Sequence, residues 1–264
     1  MLLEYLKKKI IHLDKKLFNE NLKSLKYFLE ERRYQTYRNK NFAYEIKSKY
    51  KKNNNSELNI LCEKYGSDKG GVSENNNQFS WPIHSYVDIY DLLFRLRKND
   101  VHLLIECGVG TINTNMKSNM GKNGKPGASL RMWRDYFPNA KIIGVDIDKD
   151  VIFSEDRIKT YHCDQTDFES IQLFLETAKI LDNSVDIIID DGLHNFKSGR
   201  IFFEGMIKCL SNNGLYIIED ISGDDMMLYK DYFANLESKF NVHFLSLIKP
   251  YEKINANRLI IINK

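Results

Sequence analysis

The chain has 264 residues, 42% hydrophobic and 28% charged, which is enough for one large core or two modest ones and excludes a small stapled scaffold. Its 39 Lys and Arg against 36 Asp and Glu give a net charge of +3. Cys62, Cys107, Cys163 and Cys209 lie far apart without paired spacing, so neither a disulfide framework nor a CxxC zinc module is expected, and a reducing, cytoplasmic setting fits best. The start carries Lys7, Lys8 and Lys9 but no apolar run of signal-peptide length, and no stretch approaches the roughly 18 uncharged apolar residues of a membrane span.

The basicity is local. Residues 1–55 hold 15 Lys and Arg against 6 Asp and Glu, a surplus of nine, which leaves −6 for residues 56–264. Leu2, Leu6, Ile10, Leu13 and Leu17, then Leu22, Leu25, Phe28 and Leu29, recur at helical spacing with no glycine or proline among them, so one or two amphipathic helices are expected up to about Lys52. A lysine-rich face is usually a solvated face. The expected role is therefore packing or contact between copies of the chain, as a homo-oligomer, with no nucleic-acid partner and no membrane span. Asn53-Asn54-Asn55 reads as a linker, dividing a helical basic segment (1–55) from the main domain (56–264).

Beyond residue 100, apolar runs alternate with helical patterns. Residues 101–107, 141–146, 159–162, 185–190 and 214–219 read as strands; 129–136, 167–179 and 197–210 read as helices between them. Continuous apolar strands separated by helices imply a parallel sheet covered on both faces. Residues 242–248 and 258–262 leave no room for a crossover helix around Pro250 and predict an antiparallel pair at one edge. The expected fold is an α/β, doubly wound, mostly parallel seven-stranded sheet with an antiparallel last strand, preceded by the helical segment.

In such a sheet ligands bind beyond the carboxyl ends of the strands. The first run ends Glu106-Cys107-Gly108-Val109-Gly110, where two glycines permit a tight turn and close backbone approach. The second ends at Asp146, where a carboxylate can hold both hydroxyls of a ribose, and the third is followed by Asp164-Gln165, placed for an adenine edge. A dinucleotide fingerprint fails, because Asn113 stands where its third glycine belongs and the acidic residue comes 40 positions after Glu106 rather than about 20. A nucleoside ligand without pyrophosphate, such as S-adenosylmethionine, is favoured.

The fourth run ends Asp190-Asp191-Gly192-Leu193-His194 and the fifth Glu219-Asp220. Neighbouring strands thus deliver Asp191, Glu219 and Asp220 to one rim. Three hard oxygen donors without a cysteine suit Mg2+ or Mn2+ rather than zinc, and without a cation they repel one another. His194, three residues beyond Asp191, is placed to take a proton from a metal-held hydroxyl. His12, His102, His162 and His243 read as structural, and only His194 is evident as an imidazole at the rim.

These residues resemble the metal-dependent sugar O-methyltransferases typified by the mycinamicin and macrocin (tylosin) enzymes. The resemblance covers roughly residues 61–220. It is carried by Glu63-Lys64-Tyr65-Gly66-Ser67-Asp68-Lys69, Ile105-Glu106-Cys107-Gly108-Val109-Gly110, Gly127-Ala128-Ser129-Leu130-Arg131-Met132-Trp133, Ile143-Gly144-Val145-Asp146-Ile147, the 190–194 motif and Gly214-Leu215-Tyr216-Ile217-Ile218-Glu219-Asp220. It implies a class I methyltransferase fold, with Asp191, Glu219 and Asp220 holding Mg2+ and His194 as general base. The expected cofactor contacts are Tyr65, Ser67, Glu106, Gly108, Gly110, Ser129, Asp146, Asp164, Gln165 and Asp190. Residues 65–71, with Trp81, His84 and Tyr86, are too polar for core and by resemblance lie over the site's mouth.

The implied reaction is transfer of a methyl group from S-adenosylmethionine to a sugar hydroxyl, on a nucleotide-linked sugar bound for a surface polysaccharide or on a larger glycoside. Leu193 departs from a common serine, Cys107 from a usual aliphatic residue, and the insertion 111–126 bears on the acceptor more than on the reaction. Two other readings compete. One is different metal chemistry on the same fold, since relatives named cephalosporin hydroxylases share similar motifs. The other is a non-catalytic binding protein with a vestigial cofactor fold.

Overall fold

The computed structural model describes residues 50, 52–71, 79–236, 239–248 and 257–264. The helices expected before residue 50 and the turn expected at Pro250 lie outside them.

Among the described residues two helices precede the sheet: α1 (Glu57–Tyr65) and α2 (Tyr86–Phe94). Ser56 caps α1 by accepting from Asn59 N, and Gly66 ends it in the left-handed conformation with its N–H on the Cys62 carbonyl. There follow β1 (Leu103–Cys107), α3 (Ala128–Tyr136), β2 (Lys141–Asp146), β3 (Ser154–Glu155) and β4 (Ile158–His162). The remainder is α4 (Phe168–Ala178), β5 (Val185–Asp190), α5 (Phe196–Met206), β6 (Leu210–Ile218), α6 (Gly223–Ala234), β7 (Asn241–Ser246) and β8 (Arg258–Asn263).

The sheet order is β3-β4-β2-β1-β5-β6-β8-β7. Strands β4, β2, β1, β5 and β6 run parallel, β3 is antiparallel to β4, and β8 is antiparallel to both β6 and β7. The mixed α/β architecture expected from the sequence is present, with eight strands among the described residues instead of seven. The additional strand is β3, two residues long and too short to leave a periodic signal.

Alternation along each strand sorts the core into two halves. Leu104, Ile142, Ile187, Ile189, Leu259 and Ile261 pack with α1, α2 and α3; Ile105, Val145, Ile188, Ile260 and Ile262 pack with α4, α5 and α6. Glu106 shares the face of Leu104. It therefore lies under α3, where the buried Trp133 donates from Nε1 to Glu106 Oε2 at 2.9 Å and packs edge-on against Tyr90 and Phe94.

The strand order switches between β1 and β5, with β2 and β4 added on one side of β1, and β5 and β6 on the other, so ligand space is expected at the carboxyl ends of these strands. There each loop start is tied to the neighbouring strand: after β1, Gly108 N donates to the Val145 carbonyl of β2 at 2.8 Å, and after β5, Asp191 N donates to the Cys107 carbonyl of β1 at 3.0 Å.

Trp133 joins the packing of the pre-sheet helices to a buried carboxylate. Trp133→Phe keeps most of the ring and removes the donor to Glu106, so it is expected to cost about 1–3 kcal/mol. Trp133→Ala also opens a cavity and is expected to cost about 3–5 kcal/mol. Urea unfolding at unchanged m-value measures both.

Candidate active site

A cavity of about 770 Å³ opens at the carboxyl ends of β1, β2, β4 and β5, a size suited to small-molecule ligands. One end is walled by Gly108, Val109, Gly110, Asp146, Ile147, Asp164 and Gln165, the other by Ser67, Lys69, Trp81, His84, Asp191, His194 and Asp220. Met116 to Met120, from the insertion after β1, also line it. The Ser118 hydroxyl donates to the Gly192 carbonyl at 2.7 Å, tying that insertion to the loop after β5.

At the first end Gly108 and Gly110 adopt φ of +94° and +89°. A Cβ at Gly108 would fall 2.1 Å from the Asp191 carbonyl oxygen and one at Gly110 2.1 Å from Met120 Sδ, so only glycine allows this approach. Asp146 Oδ2 accepts from Val109 N at 2.8 Å and Gly110 N at 3.2 Å, and Oδ1 accepts from Asp148 N at 2.9 Å. Burial raises the Asp146 carboxyl despite these donors. Gln165 bridges two loops, accepting from Leu193 N at 2.6 Å and donating to Asp190 Oδ1 at 3.0 Å.

The second end is organised around a charge. Lys69 is 1% exposed, with Nζ 2.5 Å from Asp191 Oδ2, 2.7 Å from Glu219 Oε2 and 3.2 Å from Glu106 Oε1. Burial opposes its charge, but Asp191, Glu219 and Glu106 outweigh that and hold the ammonium well above the usual lysine range. Burial pushes Glu106 up to about 7, against the pull of Lys69. Tyr90 donates to Glu219 Oε1, and Tyr86 donates to Asp220 Oδ1 at 2.5 Å. One ammonium facing three carboxylates leaves the group short of positive charge.

Donor atoms of Asp191, His194 and Asp220 lie within 4.8 Å of one another and could share a metal ion. His194 Nε2 is 3.9 Å from Asp220 Oδ2, and His84 Nε2 is 3.4 Å from Asp220 Oδ1. The expectation of a single imidazole at the rim therefore fails: α2 follows directly on His84 and carries it there. His84 stands outside the group close enough to share one ion, which keeps one histidine and two carboxylates together. His194 and Asp220 both hold positive φ, +54° and +55°, and backbone strain of this kind gathers at functional sites.

Ser67, Gly108, Gly110, Ser129, Asp146, Asp164 and Gln165 line the cavity, as do Asp191, His194 and Asp220. Glu106, Asp190 and Glu219 do not. Glu106 and Asp190 sit inside their strands with side chains on the core faces, and Glu219 turns to Lys69 and Tyr90 because a buried carboxylate needs donors. Tyr65 is also elsewhere, donating to Asp135 Oδ2. The idea that residues 65–71 are too polar for core is corrected too: Ser67 and Lys69 are buried, since carboxylates meet the lysine. The sequence places Lys69 and Tyr86 only at the site's mouth, without a role towards the carboxylates, and gives Tyr90 no place in the site. The mutual repulsion of the carboxylates was a usable signal for a nearby cation, and it fits an internal lysine as well as a metal.

No protein-family model matches the chain. It is 34% identical over 160 residues to mycinamicin VI 2''-O-methyltransferase of Micromonospora griseorubida, a match covering 59% of the chain and 37% of that protein. It is 30% identical over 161 residues to 8-demethyl-8-alpha-L-rhamnosyl tetracenomycin-C 2'-O-methyltransferase of Streptomyces olivaceus, covering 61% and 36%. Over these stretches the chain is similar to sugar O-methyltransferases. The match spans little more than a third of these relatives' length. In fold it resembles MycE methyltransferase from the mycinamycin pathway, solved with Mg, SAH and mycinamycin VI, with a TM-score of 0.58, 24% identity and coverage of 79% of this chain and 54% of that one. Among the described residues no helix is long and apolar enough to cross a membrane.

Tyr65 belongs to a cluster in which Asp135 also meets Lys64 Nζ at 2.8 Å and Arg134 at 3.0 Å. Burial alone would raise Asp135, but bonds from Lys64, Tyr65 and Arg134 hold it down at about 2. A depressed carboxylate lends stability at neutral pH that fades as pH falls from its unfolded value, about 4, towards 2. Asp135→Asn is expected to be less stable than the parent at pH 7, with the gap narrowing by pH 3 in urea titrations; a pH-independent gap contradicts this.

Proposed function

We propose that the chain transfers a methyl group from S-adenosylmethionine to a sugar hydroxyl with the help of Mg2+. One observation carries this reading: Asp191, His194 and Asp220 meet at one end of a cavity whose other end is a glycine turn and a strand-end aspartate. Similarity to methyltransferases acting on glycosylated antibiotics supports it.

The residues fit the nucleoside. The bent Gly108–Gly110 backbone leaves room against the Asp191 carbonyl, Asp146 stands where ribose hydroxyls can be accepted, and Gln165 and Ile147 border the space for a planar base. When bound, S-adenosylmethionine supplies a methyl group on a sulfonium, whose C–S bond breaks with its electron pair returning to sulfur. The donor set also fits a hard divalent ion at Asp191 and Asp220, and such an ion would acidify an acceptor hydroxyl. In this reading Glu219 anchors Lys69 beside the ion's position, a change from the ligand role the resemblance implies.

His194 takes the proton from the acceptor hydroxyl at Nε2 as the oxygen bonds to the methyl carbon. Asp220 Oδ2, 3.9 Å from Nε2, stabilises the imidazolium that results. Lys69 holds Asp191 through Oδ2, and Tyr86 holds Asp220 through Oδ1, so both carboxylates are oriented before any ligand arrives. Trp81, with Nε1 donating to Asp68 Oδ2 at 2.8 Å, borders the acceptor end and offers carbon surface to a pyranose ring. The acceptor sugar is carried on a nucleotide or on a larger glycoside.

Calorimetric titration with S-adenosylmethionine and S-adenosylhomocysteine, with and without Mg2+, tests the reading: micromolar binding is expected, and absence of binding removes it. His194→Ala is expected to lower turnover about 10²–10⁴-fold while leaving S-adenosylhomocysteine affinity intact. Asp191→Asn is expected to raise the Mg2+ concentration for half-activation at least about tenfold. Nucleotide-sugar and glycoside acceptors are assayed in parallel to separate the two carriers.

A further inference from the structure

One buried carboxylate has no task in that chemistry. Asp190 closes β5, is 3% exposed and does not border the large cavity. Its Oδ1 accepts from Gln165 Nε2, while Oδ2 has no hydrogen-bond partner among the described residues. His194 presents a matching deficit, since Nδ1 is buried without a partner there while Nε2 lies towards Asp220. Leaving such groups unmet is costly, and in folded proteins they are nearly always met by protein or by ordered water.

Both residues line one small void of about 10 Å³, together with Asn195, Gly199, Asp225 and Tyr229. That is space for about one water molecule; Ile218 and Ile221 make part of the wall apolar, and Asp190, His194, Asp225 and Tyr229 supply the polar partners that an occupied site requires. Gly199 keeps it open. A Cβ at that position would fall 2.0 Å from Tyr229 Oη and 3.1 Å from Asp190 Oδ2, so any side chain would fill the gap between them.

We infer that a single buried water bridges His194 Nδ1 to Asp190 Oδ2 and that Asp190 is thereby the positioning residue for the base. The proton count follows from donor chemistry. An ionised carboxylate only accepts, so the water donates to Oδ2 and its oxygen accepts from Nδ1–H. The imidazole proton is then fixed on Nδ1. Nε2 keeps its lone pair, directed at the end of the cavity where Asp191 and Asp220 stand. Gln165 locks the other side of the carboxylate, so Asp190 cannot rotate its bonded oxygen into the void without losing that bond. The inference rests on the reading of His194 as the base, to which it adds the tautomer and its cause.

The test is two-bond proton–nitrogen NMR on protein with 15N-labelled histidine, loaded with S-adenosylhomocysteine and Mg2+, at about pH 8.5, roughly two units above the ordinary imidazole value. His194→Ala assigns the resonance. The Nδ1–H tautomer is expected in the parent protein. In Asp190→Asn, Gln165 holds the amide oxygen and the NH2 faces the void, which turns the water round and moves the proton to Nε2. The expected result is a switch to Nε2–H with turnover down about 10²–10⁴-fold and unchanged S-adenosylhomocysteine affinity.

An Nε2–H tautomer in the parent overturns the inference, even if Asp190→Asn does not fold. So does an unchanged tautomer in a folded Asp190→Asn. The tautomer is read without turnover, so the reading it rests on fails separately, through full activity of His194→Ala or absence of cofactor binding.

Discussion

The ammonium of Lys69 among Asp191, Glu219 and Glu106 is the contact on which the architecture of the site depends. Removing a buried ion's partner costs more than the pair contributes, because the stranded charge cannot reach water. The lysine therefore fixes its own segment against the sheet. Backbone bonds follow suit: His84 N donates to the Asp68 carbonyl and Val87 N to the Lys69 carbonyl, while Asn59 receives Gly71 N. A stretch that precedes the first strand thereby becomes a wall of the cavity and brings Trp81, His84 and Tyr86 with it.

This arrangement separates two demands. The nucleoside end is shaped by backbone: two glycines at positive φ, a carboxylate held by three amides, and a glutamine spanning two loops. The other end is shaped by charge, with carboxylates steered by a lysine and tyrosines. Loops at the carboxyl ends of parallel strands suit both, since the strands are rigid on each face and the loops alone vary.

Much of the sheet and three of its helices are legible in the sequence because the strands, buried on both faces, read as continuous apolar runs such as Ile187–Ile189 and Leu259–Ile262. Helix α6 is not, since Met226, Met227, Leu228 and Tyr229 blur its apolar stripe. Site residues just past strand ends, such as Gly108, Asp191 and Asp220, are equally legible. Residues inside the strands are harder: Glu106 and Asp190 look like ligand contacts until alternation places them on the core faces under α3 and beside α5. Lys69 is hidden for another reason. Its burial depends on carboxylates 37 to 150 positions away, and no local pattern carries that information.

Strand β8 has a consequence for how the chain reaches this state. It lies between β6 and β7, although it follows both in sequence, and its Leu259–Ile262 side chains complete both halves of the core. During synthesis β6 therefore emerges with one backbone edge unpaired, and β7 cannot fill it. An apolar edge open for so long is a template for unwanted pairing between nascent chains, so vectorial folding is weakest at the side of the sheet farthest from β4.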